Sequence, residues 1–319
     1  MADVAAAAGV SGQTVSRVVN GSPRVDPATR AKVEAAMAAL GYRMHRAARA
    51  LRTGRTDTIG VIVSTLASVG NSRMLEAIAD AAAQRGFALA LVTVPAPDGA
   101  AGIAGGFARL HDEGVDGAIV LNEATALARD AAVPPGLALV VVDSPADDRY
   151  IVVQTDHAAG ARAAVAHLIA AGHRNVWHLA GPDGSYAAAE RERAWRETMD
   201  AAGIAAPPVL RGDWTAASGF RAAAALPPEA TALFVANDQM ALGALRALAD
   251  AGRSVPADVA VVGFDDVDDA AQYQPPLTTV RQDFDALGAA AVTALIAAIE
   301  GRHPSGTLLA PRLVVRASA

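Results

Sequence analysis

The sequence predicts a small all-α head carrying a helix-turn-helix, followed by a larger α/β domain of two lobes built from parallel sheets flanked by helices. Three observations carry this reading. Short helical segments separated by turn residues fill the first forty positions; beyond residue 57 apolar strands alternate with helices that end in glycine; and charge divides between the two parts. Residues 1–56 hold nine basic and three acidic side chains, a net charge of +6, which leaves −12 for the rest of a 319-residue chain whose formal charge is −6. A basic head on an acidic body suits contact with a polyanion at one end only.

In the head, Ala2–Ala8 reads as a first helix, and Gly9-Val10-Ser11 as a tight turn whose serine can cap a second helix over 12–20. Asp26 is a good N-cap and Pro27 suits the first helical position, so a third helix runs from there to Leu40 and stops at Gly41. Ala5, Val10, Val15, Val18, Val33, Met37 and Leu40 are the expected core of this head. Residues 46–55 form a basic linker with one large apolar side chain, Leu51. Strands are then expected at 58–64, 87–94, 117–121 and 137–142, with helices at 72–85 and 107–113. A second run places strands at 151–155, 176–179, 233–235 and 259–264, with helices at 158–171, 188–202 and 238–251. Repeated βα units imply parallel sheets with right-handed crossovers, and two runs imply two lobes. Ligands in such folds bind at the carboxyl ends of the strands, so the cleft between lobes is the expected site.

Several chemistries are excluded. The chain has no cysteine, which removes disulfides, thiolate metal sites and cysteine nucleophiles. The one lysine, Lys32, follows Ala31, so there is no Walker loop, and no G-x-S-x-G elbow occurs. The glycines between Gly99 and Gly106 have the wrong spacing for a dinucleotide loop, and the seven histidines show no metal-ligand spacing. His167 and His173 flank a helix end and read as surface residues, and the acidic run 265–269 lacks the pattern of a calcium loop. No cofactor, no metal and no catalysis are expected. The longest uncharged apolar stretch, 286–299, is too short to span a bilayer, and the N-terminus shows no secretory pattern, so no membrane partner is expected and the cytoplasm (nucleoid-associated) is the expected location.

The stretch Asp3-Val-Ala-Ala-Ala-Ala-Gly-Val-Ser-Gly-Gln-Thr-Val-Ser-Arg-Val-Val-Asn20 closely resembles the DNA-reading head of the lactose-repressor (lactose/galactose repressor) family, nearest to its namesake. The likeness continues through Thr29-Arg30, Lys32 to Tyr42, Ile59-Gly-Val61, Ala180-Gly-Pro182 and Gly212-Asp-Trp214. It resumes in Val235-Ala-Asn-Asp-Gln-Met-Ala-Leu-Gly-Ala244, Val262-Gly-Phe-Asp-Asp266 and Pro275-Pro-Leu-Thr-Thr-Val-Arg-Gln-Asp-Phe284. The resemblance implies a domain at 1–45 that binds operator DNA, a hinge helix at 46–56, and a periplasmic-binding-protein-like domain at 57–319 that senses ligand and dimerises. Its lobes would comprise 57–155 with 284–311, and 156–283 with 312–319.

By the same resemblance the second helix enters the major groove, with Gln13 and Arg17 reaching base edges, Thr14 and Ser16 holding phosphates, and Ser11 at the turn before them. Asn20, Thr29 and Arg30 correspond to contacts that position the DNA backbone, and Leu51 to a wedge that kinks a central base step from the minor groove. A sugar offers vicinal hydroxyls to carboxylates, amides and a guanidinium, and an apolar face to an aromatic ring. Asp143, Arg191, Asn237 and Asp265 supply that polar set at matching positions, Trp214 the stacking platform, and Gln282 and Phe284 the wall, with Asn122 at a strand end beside the cleft. Trp177 and Trp195 have no such match and read as packing residues.

The implied function is that of a homodimeric repressor on a pseudo-palindromic double-stranded operator, released by a small galactoside-like sugar or other glycoside. No leucine heptad follows the strand-like segment 313–316, which favours a dimer over a tetramer. Two other readings stay open at this stage. One is the same architecture with a purine or other corepressor that strengthens DNA binding; the other, more distant, is a sugar-binding transport protein.

Overall fold

The computed structural model describes residues 1–19, 21–42, 54–94, 99–121, 131–146 and 149–319. It divides into two compact units, Met1–Thr56 and Asp57–Ala319.

The first unit is helical. α1 (Ala2–Ala8) ends at Gly9, whose φ of 64° is the left-handed conformation that glycine adopts without strain. α2 (Gly12–Val19) starts behind Ser11, whose hydroxyl accepts from the Thr14 amide at 3.1 Å. α3 (Pro27–Ala39) is capped by Asp26, which accepts from the Thr29 amide at 3.0 Å. Val4, Ala5, Val15, Val18, Val33 and Ala36 form the buried core, with Val10 and Met37 packed against it. Leu40, expected in that core, is instead 50% exposed. The helix ends one residue earlier, and as the C-cap Leu40 leaves the helical path that would carry it inward.

The second unit holds two six-stranded sheets. The first comprises β1 (Thr58–Val63), β2 (Ala88–Thr93), β3 (Gly117–Leu121), β4 (Ala138–Val142), β5 (Ile151–Thr155) and β11 (Thr307–Leu309), in the order β11-β5-β4-β3-β1-β2, all parallel. The second comprises β6 (Val176–Ala180), β7 (Leu210–Arg211), β8 (Ala232–Val235), β9 (Ala260–Asp265), β10 (Thr278–Arg281) and β12 (Arg312–Val314). Its order is β12-β10-β9-β8-β6-β7, with β12 alone antiparallel. Strands such as β3 are buried on both faces, which is why they read as continuous Val/Ile/Leu runs.

α4 (Val69–Gln84) and α5 (Gly99–Asp112) flank the first sheet, and α6 (His157–Ala170), α7 (Tyr186–Ala201), α8 (Ala216–Ala223) and α9 (Asp238–Asp250) the second. α10 (Phe284–Ile299) returns to the first sheet, where Leu287, Ala291 and Leu295 join the core of Ile59, Ile78 and Val140. The chain therefore crosses between lobes three times, after β5, after β10 and between β11 and β12. α4 begins at Val69, just ahead of the expected position 72, because its first turn holds Gly70 and Asn71, which carry no apolar periodicity, and α5 runs from Gly99, so that the glycine-rich segment 99–106 opens the helix read at 107–113. Trp195 is fully buried, with its indole donating to the Val176 carbonyl at 3.1 Å, and Trp177 packs at the edge of the neighbouring core. His167 and His173, expected on the surface, are each half-buried at the end of α6. His178 lies fully buried on β6, stacked 4.8 Å from Phe234, with Nδ1 donating to the Phe234 carbonyl at 3.0 Å.

Candidate functional site

A cleft between the lobes is lined by residues from both. Asp143, Arg191, Trp214, Asn237, Asp265, Gln282 and Phe284, which lie far apart in the chain, all face it. Asn122 lies outside the described residues.

Each polar side chain has a structural reason for its place. Asp143 follows β4 directly and carries a φ of 54°, and Asp265 ends β9 with a φ of 121°. Trp214 has a φ of 74°. Strained backbone at three lining positions is the pattern expected where geometry is held for a ligand. The Trp214 ring lies flat on Gly181, where a Cβ would overlap its ring carbons. Asn237 caps α9, its Oδ1 accepting from the Met240 amide at 2.9 Å and its Nδ2 donating to the Trp214 carbonyl at 3.1 Å. The second Nδ2 hydrogen remains for a ligand.

Arg191, on α7, is 4% exposed and organises the centre. Its guanidinium lies 3.7 Å over the Phe264 ring and 5.6 Å from that of Trp214. Nη1 donates to the Ala236 carbonyl and lies 3.7 Å from Asp265 Oδ1, while Nη2 reaches His157 Nδ1 at 3.2 Å. Gln282, at the second crossover, donates from Nε2 to Asp265 Oδ1 at 2.7 Å, so its amide orientation is fixed. Gln282 Oε1 and Trp214 Nε1 are buried and lack protein partners, an acceptor and a donor left over in the lining. Burial raises the Asp265 carboxyl to about 6, against the lowering effect of Arg191 and Gln282. Asp238, buried beneath it at the start of α9, is pushed well up by burial and by Asp265.

Residues that the sequence reading missed complete the cleft. Gly70, Asn71 and Met74 from α4, Tyr186 from α7, and Ser68 and Ser185, the residues before these two helices, all line it. The Val69 amide donates across the cleft to Gln239 Oε1 at 2.8 Å, tying the start of α4 to the start of α9. His157 is missed as well, though it touches Asp143 and Arg191. In sequence it is only the first residue of an alanine-rich helix behind the N-cap Asp156; the crossover aims it inward.

In the head, Val15 and Val18 face the core, which leaves Gln13 and Arg17, one turn apart, exposed on the opposite side of α2. Ser11 is exposed, and Thr14 and Ser16 are half-buried. Thr29 belongs to the Asp26 cap, and Arg30 donates to the Ser22 carbonyl at 2.6 Å, which pins the loop before α3. Asn20 and Leu51 fall outside the described residues. Among the described residues no helix is long and apolar enough to cross a membrane.

Residues 1–44 match the family described as bacterial regulatory proteins, lacI family, and residues 165–319 match the periplasmic binding protein-like domain. The chain is 40% identical to the lactose operon repressor of Escherichia coli (strain K12), over 98% of this chain and 88% of that one. It resembles the solved lac repressor dimer bound to operator and the anti-inducer ONPF, with a TM-score of 0.88 and 38% identity, over 99% of this chain and 97% of that one. The transcriptional regulator CelR–cellobiose complex matches with a TM-score of 0.75 and 35% identity, over 99% and 98% of the two chains.

Proposed function

This chain belongs to the lacI family of bacterial regulatory proteins, and from that premise we propose that it is a sequence-specific repressor whose hold on operator DNA is relieved by a small galactoside-like sugar. The observation that carries the sugar reading is the cleft itself. Asp143, Asp265, Asn237 and Gln282 offer carboxylate and amide groups, Arg191, the one cation among the described lining residues, is already engaged by protein acceptors, and Trp214 supplies a flat apolar face. A polyhydroxylated ring meets all three conditions, because each hydroxyl donates as well as accepts. The likeness to a complex with cellobiose keeps β-glucosides beside galactosides.

DNA binding rests on α2, where Gln13 and Arg17 present an amide and a guanidinium on one exposed face, suited to base edges in the major groove. Ser11, Thr14 and Ser16 stand beside them for phosphates, with Thr29 and Arg30 as backbone contacts. Asn20 and Leu51 keep the roles the resemblance gives them. Exposed Leu66 and Leu91 on one lobe and Phe220 and Leu242 on the other supply apolar surface for a homodimer, which would set two heads on a pseudo-palindromic site.

The deciding experiment titrates the protein, bound to DNA from upstream of its own gene, with galactosides, glucosides and purines. Release by a sugar is expected. Tightening by a purine, or absence of DNA binding at modest salt, would overturn the reading. A second expectation concerns the stacking wall: Gly181→Ala pushes the Trp214 ring off its seat. Sugar affinity should then fall on the order of tenfold, about 1.4 kcal/mol, as measured by calorimetry, with operator binding retained.

A further inference from the structure

We infer that His157 is the positioning residue through which an occupied pocket changes the set of the two lobes, and so the one that couples sugar binding to operator release. The inference rests on the sugar-relieved repressor proposed above. His157 opens α6, two residues past β5, where the chain first crosses between lobes. Its side chain is 1% exposed. One ring nitrogen faces each lobe: Nε2 lies 3.0 Å from Asp143 Oδ1 of the first, and Nδ1 lies 3.2 Å from Arg191 Nη2 of the second.

An arginine only donates, so Nδ1 must accept and the ring proton sits on Nε2. That buried N–H comes close to the Asp143 carboxylate but is out of line with it and makes no hydrogen bond. A buried donor without a partner is unfavourable, so a small rotation of one lobe that aligns the pair is favoured and one that parts them is opposed. The pair aligned and the pair parted are the two arrangements between which a coupling element at this crossover would choose. Asp143 and Arg191 also line the sugar cleft, so hydroxyls that engage them act directly on both partners of His157. Phe264, at 6.0 Å, and Tyr186, edge-on at 6.3 Å, hold the ring between them.

The test uses the full-length protein, its operator, and lactose or cellobiose, whichever releases the wild type. His157→Asn keeps an acceptor near the Nδ1 position and loses the Asp143 contact; His157→Phe loses both. For each, operator affinity is measured with and without sugar, and sugar affinity with and without operator, after unfolding curves confirm a folded protein. Coupling in such systems runs from about 5- to 150-fold and is reciprocal. We expect both variants to lower it at least about tenfold or to abolish it, so that sugar affinity becomes nearly the same on and off DNA. His157→Asn should hold sugar better than His157→Phe while sharing its loss of coupling. A residue with a merely structural role would lower affinity and leave the ratio intact. Wild-type coupling in His157→Asn would overturn the inference while the sugar reading stands; a wild type that answers to neither sugar brings down both.

Discussion

Arg191→Ala should abolish the response to sugar, leave operator binding in place, and destabilise the effector unit by about 3 kcal/mol, the low end for a buried charge that loses its partner. Among the described residues that line the cleft the guanidinium is the one cation, and it lies 3.7 Å from Asp265, which is 6% exposed. Its removal leaves the Ala236 carbonyl and His157 Nδ1 without a donor and Asp265 without its counter-charge. The loss is held down by a proton. The Asp265 carboxyl already sits at about 6 with Arg191 lowering it, so without Arg191 it rises further and is protonated near neutrality. Adding Asp265→Asn should therefore recover part of the stability, since the asparagine oxygen still accepts from Gln282 and carries no charge. It should recover none of the sugar response. Urea denaturation of both variants beside a sugar titration measures the two effects. A folded Arg191→Ala protein that no longer bound operator would show that the roles of the two units are assigned wrongly.

The alternation of strands and helices was legible because it rests on local rules. Parallel strands covered on both faces leave unbroken apolar runs, and Gly86, Gly114, Gly172, Gly203 and Gly252 each end a helix with a positive φ that other residues resist. Elements without such marks were not legible. α8 is eight residues long and is set by packing against α9, where Gly243 admits the Ala216 carbonyl; β11 is three residues long and exists only through its partner, while β12 showed only as the strand-like segment 313–316. The cleft divides in the same way. Asp143 stands at a strand end, where ligands bind in such folds, but Arg191, Asn237, Asp265, Gln282 and Phe284 could be joined to it only through the family resemblance. His157 and Tyr186 carried no signal of either kind, since a first-turn residue of an alanine-rich helix has no periodicity that distinguishes pocket from core.

Lowering the pH from 7 to 5 should destabilise the wild type relative to His178→Leu by about 2 kcal/mol. The ring is wholly buried between Phe234 and Trp195, 4.8 and 5.3 Å away, and burial takes its pKa from 6.5 down to about 3. Nδ1 already carries the proton shared with the Phe234 carbonyl, so a second proton would place a charge on Nε2 inside the core. Between pH 3 and 6.5 the unfolded chain therefore binds more protons than the folded one, and stability is lost as pH falls through that window. At pH 5 the difference is 1.5 units at about 1.36 kcal/mol each. The raised carboxyls act in the opposite sense: Asp265, at about 6, takes up its proton in the folded state first, so its contribution is present at low pH and lost as pH rises through 6. In the wild type alone the two effects partly cancel, and a flat pH profile would conceal both. They separate in the comparison with His178→Leu, because Asp265 and Asp238 are common to both proteins. A stability gap equal at pH 7 and pH 5, by urea denaturation, would mean that the folded protein protonates the ring as readily as the unfolded chain does. A gap that grows toward acid locates the acid sensitivity in the β6 core, on a strand that ends beside the Gly181 seat of Trp214, rather than in the carboxylates of the cleft.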